Sequence, residues 1–435
     1  MPKALQTMLG VRAKAAALAE PLSCGPVRRL WASQLSSEIG DWAARLALAV
    51  LVLDRTHSPA LVGAVTAASM VGWFGPGQLL TSLSERWPRR RVMLTADVIR
   101  GVAFLAVLAP MPTPALVVVV TAAGCATVPF EAARSALRPV LTPAELMGAT
   151  VTVSQLTGDV SMLAGYLFGG VVIAAVGPSA ALVLNAATFA VSAVFTARLP
   201  RTEPDRDLAP RRLVAAARVL AGTPLLRRAV GLVLITQAGA VGVEALVAPY
   251  ATRVVGAGGG WAAVLAATAA VASLALTAAL PLTGTDDQLI TRCARLAAAT
   301  GGATLIAFAV LPDWRGLLAF AASGCMMVAL VPANVLVGPV LPDHIRSSAF
   351  SLLAGATVAA QAGGAAVAGV LASAVGVRTA AALVTVPAAV AGFYALARPV
   401  ALKEAHGTAP EHPAGSTATH LASGPAGPTV AEVAG

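Results

Sequence analysis

Charged residues are scarce in this chain of 435 residues, since Asp, Glu, Lys and Arg together make up only 11% of it. Soluble globular domains carry about 25%. Aromatic residues are also few, at 4%, whereas hydrophobic residues reach 57%. So little charge cannot cover the surface of a soluble domain, and this composition therefore excludes an ordinary soluble globular protein.

Residues that commonly bind metals or form disulfides are equally sparse. The four cysteines (Cys24, Cys125, Cys293 and Cys325) stand far apart, and the five histidines (His57, His344, His406, His412 and His420) fall outside the long apolar runs. Neither set has the close spacing of a metal site or a disulfide framework. The sequence also contains no P-loop, no H-E-x-x-H motif and no nucleophile elbow. We therefore expect no metal, no cofactor and no enzymatic activity.

Long apolar runs are abundant. A helix of about 20 apolar residues spans a hydrocarbon core of about 30 Å, whereas barrel strands are about 10 residues long and alternate in polarity. We predict an all-α integral membrane protein with twelve transmembrane helices. The predicted spans are 30–53, 60–83, 92–110, 114–136, 148–176, 179–198, 228–251, 261–282, 293–311, 316–338, 349–375 and 379–398.

The chain resembles itself at an offset of about 200 residues. PVLTPAELMGA from Pro139 corresponds to PVLPDHIRSSA from Pro339, and GVVIAAVGPSAALV from Gly170 corresponds to GVLASAVGVRTAAALV from Gly369. Such repeats are typical of transporters built from two similar halves. We predict an N-terminal segment (1–29), a six-helix half (30–198), a linker with a short amphipathic helix (199–227), a second six-helix half (228–398) and a disordered tail (399–435).

The basic residues predict the orientation in the membrane. Most of the 30 Lys and Arg residues fall on the side of the predicted spans where the chain begins. Because positive charge concentrates in cytoplasmic loops, we expect a multi-pass protein of the inner or plasma membrane with both termini in the cytoplasm. This bias accounts for the net charge of +10, so we do not expect nucleic-acid binding. Residues 1–29 interleave charges with apolar positions, which predicts no cleaved signal peptide.

The most highly charged segment lies between the second and third spans. GQLLTSLSERWPRRR, from Gly77, resembles the loop between helices two and three of the major facilitator superfamily, and MLTADVIR is similar to the start of its third helix. Further matches are SSEIGDWAARLALAVLVLDRTHSPALVGAV, FEAARSALRPVLTPAEL and LNAATFAVSA. Together they resemble the drug-exporter branch that includes macrolide and siderophore exporters. The resemblance implies two halves around a central cavity, transport by alternating access, and a monomer.

Charges inside the third span suggest a gating role. Asp97 and Arg100 lie three residues apart on one helical face, where unpaired charges would be costly in a membrane. We hypothesise a cytoplasmic charge network that holds the ends of helices two to four and releases them when the halves rock. Its members are Glu85, Arg86, Arg90, Asp97, Arg100, Glu131 and Arg134. The alternative is a static cluster of ion pairs.

Proton coupling would have to use carboxylates, because no histidine lies within a span. Asp41 and Asp159 are about 17 Å from the cytoplasmic end of their spans, and Glu244 is about 24 Å from it. Asp41 is the first choice, with Glu38 and Arg45 on the same face; the alternative is a structural ion pair between Asp41 and Arg45. Glu244 has no charged neighbour on its own helix, so it is either a proton carrier or a residue bonded to another helix. Asp159 is expected to be structural.

The resemblance implies that helices one, four, seven and ten line the cavity. Candidate lining residues there are Gln34, Ser37, Gln237, Met326 and Asn334. A mainly apolar cavity with few polar groups suits amphipathic molecules that are neutral or weakly cationic. We predict a secondary active transporter that exports drugs, antibiotics or other natural products in exchange for protons. An uptake carrier or facilitator stays open as an alternative, because GYLFGG has Tyr166 where the antiporter pattern has proline; a siderophore exporter is another.

Overall fold

A computed structural model describes residues 19–84, 86–201, 211–279, 286–311, 315–330 and 343–397. Its regular elements are all helical, which confirms the predicted all-α class. In chain order the α-helices are α1 (Gly25–Thr56), α2 (Pro59–Met70), α3 (Pro76–Ser84), α4 (Arg89–Ala106), α5 (Thr113–Leu141), α6 (Met147–Val176), α7 (Pro178–Ala197), α8 (Arg211–Gly222), α9 (Pro224–Ala245), α10 (Val247–Arg253), α11 (Gly259–Ala279), α12 (Asp286–Val310), α13 (Gly316–Met326), α14 (Asp343–Val375), α15 (Val377–Leu383) and α16 (Val386–Ala397).

Nine helical segments of the described chain are long and apolar enough to cross a membrane. Three predicted spans are not among these nine. Predicted span 30–53 corresponds to α1 and predicted span 92–110 to α4, and both helices carry several charged residues, unlike an ordinary apolar span. The tenth corresponds to α13 and a 3₁₀ turn at Met327–Ala329, and its last predicted residues lie outside the described ranges. Every predicted span thus contains a helix.

Three of the predicted spans are interrupted and do not form continuous helices. The second breaks between α2 and α3, the seventh between α9 and α10, and the twelfth between α15 and α16. Each break precedes a proline near the start of the next helix: Pro76, Pro249 and Pro387. Proline has no N–H to donate to the preceding turn, so the helical hydrogen-bond ladder is interrupted at these points.

The first half (α1–α7) and the second half (α9–α16) are joined through α8, the helix predicted for the linker. Within the first half, α1 packs against α6 and α7, and α4 packs against α5 and α7. In the second half, α9 packs against α14 and α12 against α16. Val219 and Leu220 of α8 pack near Leu226 and Leu352, which places α8 beside the first turns of α14. We call this end of the bundle, where α1 and α9 begin, the linker end.

The two halves touch along a seam formed by α2 against α14 and by α6 against α11. Small residues allow the backbones to approach closely: a Cβ atom at Gly63 would lie 2.9 Å from the Cα of Gly369. Gly170 contacts Ala263 in the same way. Beyond them, Arg253 donates a hydrogen bond to the carbonyl of His57. These contacts close the end of the bundle opposite the linker end.

Candidate functional site

A cavity of about 380 Å³ lies between the two halves. Its wall is mainly apolar, with side chains such as Leu48, Val65, Trp73, Phe104 and Val358. The polar and charged side chains that reach it are Asp41, Arg45, Thr66, Ser69, Thr127, Glu244 and Gln361. This volume and this mixture of groups are typical of sites for small organic molecules.

Glu244 is bound from across the seam. It lies on α9 of the second half, and its Oε1 accepts a hydrogen bond from the Tyr166 hydroxyl of α6. A guanidinium nitrogen of Arg45, on α1, is 3.5 Å from the same oxygen. Three helices from two halves therefore meet at one carboxylate. The sequence had left Glu244 isolated because helical spacing compares a residue only with its own helix.

An aromatic side chain supports Arg45 in this position. The Arg45 guanidinium carbon is 4.3 Å from the centre of the Trp42 ring, and Trp42 packs edge to face against Tyr166 with ring centres 5.4 Å apart. A cation over the face of an indole ring is attracted by its quadrupole. Trp42 therefore favours the orientation in which Arg45 points towards Glu244.

Asp41 has a different partner from the one expected. The structure pairs it with Arg100 of α4 at 3.5 Å, while Arg45 is directed to Glu244. The Asp41 side chain keeps 37% of its surface exposed and lines the cavity. The alternative of a structural Asp41–Arg45 pair is therefore not the arrangement in this structure, because Arg45 has a carboxylate within reach across the seam.

The interior of the first half is built around Arg100, which is buried. Its guanidinium bonds Asp97 at 2.6 Å and lies between the rings of Phe130 and Phe189. Asp97 also accepts a hydrogen bond from the Ser192 hydroxyl at 2.9 Å. Buried charges are tolerated when they are paired and hydrogen-bonded, and this pair meets both conditions.

A second ion-pair cluster lies nearer the linker end. Arg134 of α5 bonds Glu38 of α1 at 2.9 Å and also bonds Glu131. Gln34 donates to Glu38 at 3.0 Å and accepts from Ser154 of α6 at 2.8 Å. This cluster ties α1, α5 and α6 together.

The family assignment follows from a match over most of the chain. The model of the Major Facilitator Superfamily matches residues 30–338. This protein belongs to that superfamily. An uncharacterised transporter of the superfamily from Bacillus subtilis, YfiS, is 27% identical over 173 residues, which cover 40% of this chain and 42% of YfiS. The match therefore spans less than half the length of this curated relative.

Solved structures of transporters share the fold. The nucleoside transporter NupG superposes with a TM-score of 0.67 at 13% identity, covering 85% of this chain and 98% of NupG. A bacterial homologue of the human lysosomal transporter Spinster gives 0.67 at 15% identity, over 86% and 97%. The D-xylose–proton symporter gives 0.64 at 18% identity, over 85% and 96%. At these identities the likeness shows the fold alone.

The gating residues expected to form one network in this transporter are divided into separate groups. Asp97 and Arg100 bond to each other, and Glu131 bonds Arg134, each group reaching α1. Arg90 donates instead to the carbonyl of Leu199 after α7 at 3.2 Å. Arg86 is exposed, and Glu85 lies outside the described residues. Ten residues of helix separate Arg90 from Arg100, about 15 Å along the axis, which is too far for direct contact between their side chains.

The predicted substrate-cavity residues mostly lie behind the cavity wall. Gln34 and Ser37 are buried in the networks of the first half. Gln237 is buried and donates to the carbonyl of Met327 at 3.1 Å, and Met326 packs near Ala388. Asn334 lies outside the described residues. These residues were chosen by residue type and by the span in which they lie. Neither criterion shows which side of the helix faces the cavity.

Other residues take those places in the cavity wall. Met327 and Gln361 line it from the second half, and Trp42 and Phe104 from the first. Asp159 is exposed on α6 and is not among the side chains that line the cavity. Tyr166 had one signal in the sequence, as the residue that replaces the proline of the antiporter pattern. No pattern in the sequence indicated its hydrogen bond to Glu244, which lies 78 positions later.

Proposed function

We propose that this transporter exports amphipathic small molecules in exchange for protons. The observation that carries the proposal is the cavity between the halves, whose apolar wall holds Asp41 and Glu244 with Arg45 next to them. Asp41 shares Arg100 with Asp97, which lies closer to that arginine. The negative charge at the cavity wall therefore exceeds the positive charge. A proton or a cationic group of a substrate would neutralise it in turn, as exchange requires.

The cavity wall also supports a substrate class. Valine, leucine, methionine and aromatic side chains supply apolar contact, and a few hydroxyl and amide groups can orient a bound molecule. Its net charge disfavours an anionic substrate such as a phosphate. Neutral or weakly cationic amphipathic compounds suit this wall.

Export rather than uptake rests on two arguments. The sequence resembles drug exporters, and the distribution of Lys and Arg predicts that the linker end faces the cytoplasm. The contacts between the halves that close the opposite end would then shut the cavity from the outside. In this state the cavity would receive compounds from the cytoplasmic side.

The test is proton movement driven by compounds. Everted membrane vesicles containing the protein are acidified inside, and a pH-sensitive dye is followed while amphipathic antibiotics, dyes and siderophores are added one by one. We expect dye recovery with one class of compound, and loss of that recovery in Asp41→Asn. Glu145→Gln is the matched control, since this exposed carboxylate precedes α6 and is remote from the cavity.

Two outcomes would contradict the proposal. Acidification of the vesicle interior on adding a compound would indicate movement of protons and compound in the same direction. Full recovery in Asp41→Asn, at equal protein in the vesicles, would remove Asp41 from the exchange.

A further inference from the structure

Five charged side chains beside the cavity form two ion-paired sets that meet on α1, where Asp41 and Arg45 are one helical turn apart. Arg45 bonds Glu244, while Arg100 bonds both Asp97 and Asp41. With all five ionised, three carboxylates face two guanidiniums, which leaves one negative charge without a counter-charge. An uncompensated charge in a membrane interior is costly, so this group favours one bound proton.

Glu244 and Asp41, the two carboxylates that line the cavity, each face a defined set of ionisable groups on the described helices. Glu244 faces Arg45 and Tyr166, and the residues that α11 and α13 bring to the small cavity beside it, such as Ala266 and Ser323, do not ionise. The charged groups that act electrostatically on Asp41 are Arg100, Arg45, Glu131 and Asp97. Glu131 belongs to the second cluster, where it shares Arg134 with Glu38. Asp97 is held closely by Arg100, which leaves Asp41 and Glu244 as the exchangeable positions.

We infer that one exchangeable proton is shared between Asp41 and Glu244, and that Arg45 and Tyr166 decide which of the two carboxylates holds it. This inference deepens the proposed proton coupling and rests on it. Arg45 follows Asp41 by one helical turn, so the two side chains can also reach each other. When Glu244 is ionised it holds Arg45 across the seam, and the proton resides on Asp41.

Transfer of the proton reverses this pairing. Glu244 takes up a proton from water in the cavity and becomes neutral, while Asp41 releases one to the same water. Arg45 then pairs with the ionised Asp41 on its own helix. The charged contact between α1 and α9 is lost, so proton loading at Glu244 removes a tie between the two halves.

Tyr166 acts as a positioning residue in this exchange. Its hydroxyl is buried at the seam and donates to the Glu244 carboxylate. A hydrogen bond to the charged form of an acid favours that form, so Tyr166 holds the proton on Asp41 rather than on Glu244. The tyrosine in GYLFGG thus has a function at the position where the antiporter pattern has proline.

The first test counts protons without any transported compound. Proton uptake by the purified full-length protein between pH 8 and pH 5 is measured by potentiometric titration. Relative to wild type, we expect Asp41→Asn and Glu244→Gln each to take up one proton fewer, because either change balances the remaining charges. The double variant is also expected to take up one fewer, and not two. A loss of one proton in each single variant and of two protons in the double variant would indicate independent sites. A single variant that loses no proton would assign the proton to the other residue. Either result would overturn the inference.

The second test concerns Tyr166 and remains available where a carboxylate variant does not fold. The midpoint of the same titration is compared in Tyr166→Phe and in Tyr250→Phe, a buried tyrosine whose ring packs against Phe308 and Phe320. We expect Tyr166→Phe to raise the midpoint by about one pH unit, because a hydrogen bond to a charged group is lost. Tyr250→Phe should leave it unchanged. Equal midpoints in wild type and both variants would overturn the role of Tyr166.

These results are separable from the proposed function. Compound-driven proton flux with the wrong proton count would retain proton-coupled export and reject the shared proton. The expected proton count without flux for any compound would retain the shared proton and reject export of the compounds tested.

Discussion

The two halves of the molecule share a fold but differ in their interior chemistry. The first half encloses the ion pairs of Arg100 and Arg134 with their carboxylates. The second half brings Glu244 to the cavity, and its buried Gln237 accepts a hydrogen bond from Gln361 at 3.0 Å. Of the charged side chains that line the cavity, Asp41 and Arg45 come from the first half and Glu244 comes from the second, so the second half contributes one carboxylate to this charged group.

Helices of the second half pack closely through small residues. A Cβ atom at Gly364 would overlap the carbonyl oxygen of Ala238, and one at Gly392 would overlap the backbone nitrogen of Ala298. Close approach of helix backbones through glycine and alanine stabilises membrane proteins without charged groups. The first half has such contacts as well, since a Cβ atom at Gly124 would overlap the carbonyl oxygen of Ser69. The first half therefore adds the ion pairs of Arg100 and Arg134 to close packing.

The largest expected effect comes from breaking a buried ion pair in the first half. Asp97→Ala leaves Arg100 buried with only the more distant Asp41, so we expect a loss of about 3 kcal/mol in stability. Thermal unfolding of the purified protein in detergent measures it. Arg86→Ala, which removes an exposed charge of the same half, should change stability by less than about 0.5 kcal/mol. Equal melting temperatures for Asp97→Ala and wild type would show that the pair is not needed for folding.

An intermediate effect is expected at the seam between the halves. A Cβ atom at Gly369 would lie 2.8 Å from the Pro59 carbonyl oxygen, so Gly369→Leu should force the opposite end apart. Overpacking costs about 1–3 kcal/mol, so a cysteine placed at buried Val62 should react about tenfold faster with a membrane-impermeant maleimide. The matched control is Gly363→Leu on the same helix, where an added Cβ atom has no neighbour within 4 Å. Similar rates in both variants would argue against closure by Gly369.

The smallest effect is expected in the second half. Gln361→Leu removes the amide that donates to Gln237, at a cost of about 1 kcal/mol, because a neutral hydrogen bond contributes less than a buried ion pair. Thermal unfolding in detergent again measures the change, with the exposed Gln155→Leu of α6 as control. A loss as large as that of Asp97→Ala would remove the contrast between the halves.

Much of the fold followed from local pattern, and much of the site did not. Each predicted span contains a helix, and nine helical segments of the described chain are long and apolar enough to cross a membrane, because crossing needs only enough apolar residues. The breaks before Pro249 and Pro387 were missed, because proline is tolerated inside membrane helices and its presence alone does not mark a break. Asp41 and Glu244, chosen as acidic residues deep in spans, line the cavity, whereas Gln34 and Met326 were placed at the cavity without knowledge of how their helices are rotated.

The sequence by itself determined the membrane-spanning class, the repeat of two halves, the superfamily and the short set of buried charges, because each depends on composition or on spacing along one helix. Only the tertiary structure decided which charges pair. Arg45 has Asp41 one turn away on its own helix and Glu244 199 positions later, and both are within its reach. Helix rotation, the Trp42 ring and the Tyr166 hydroxyl direct Arg45 to the distant carboxylate, since an ion pair depends on distances between helices and not on separation in the chain.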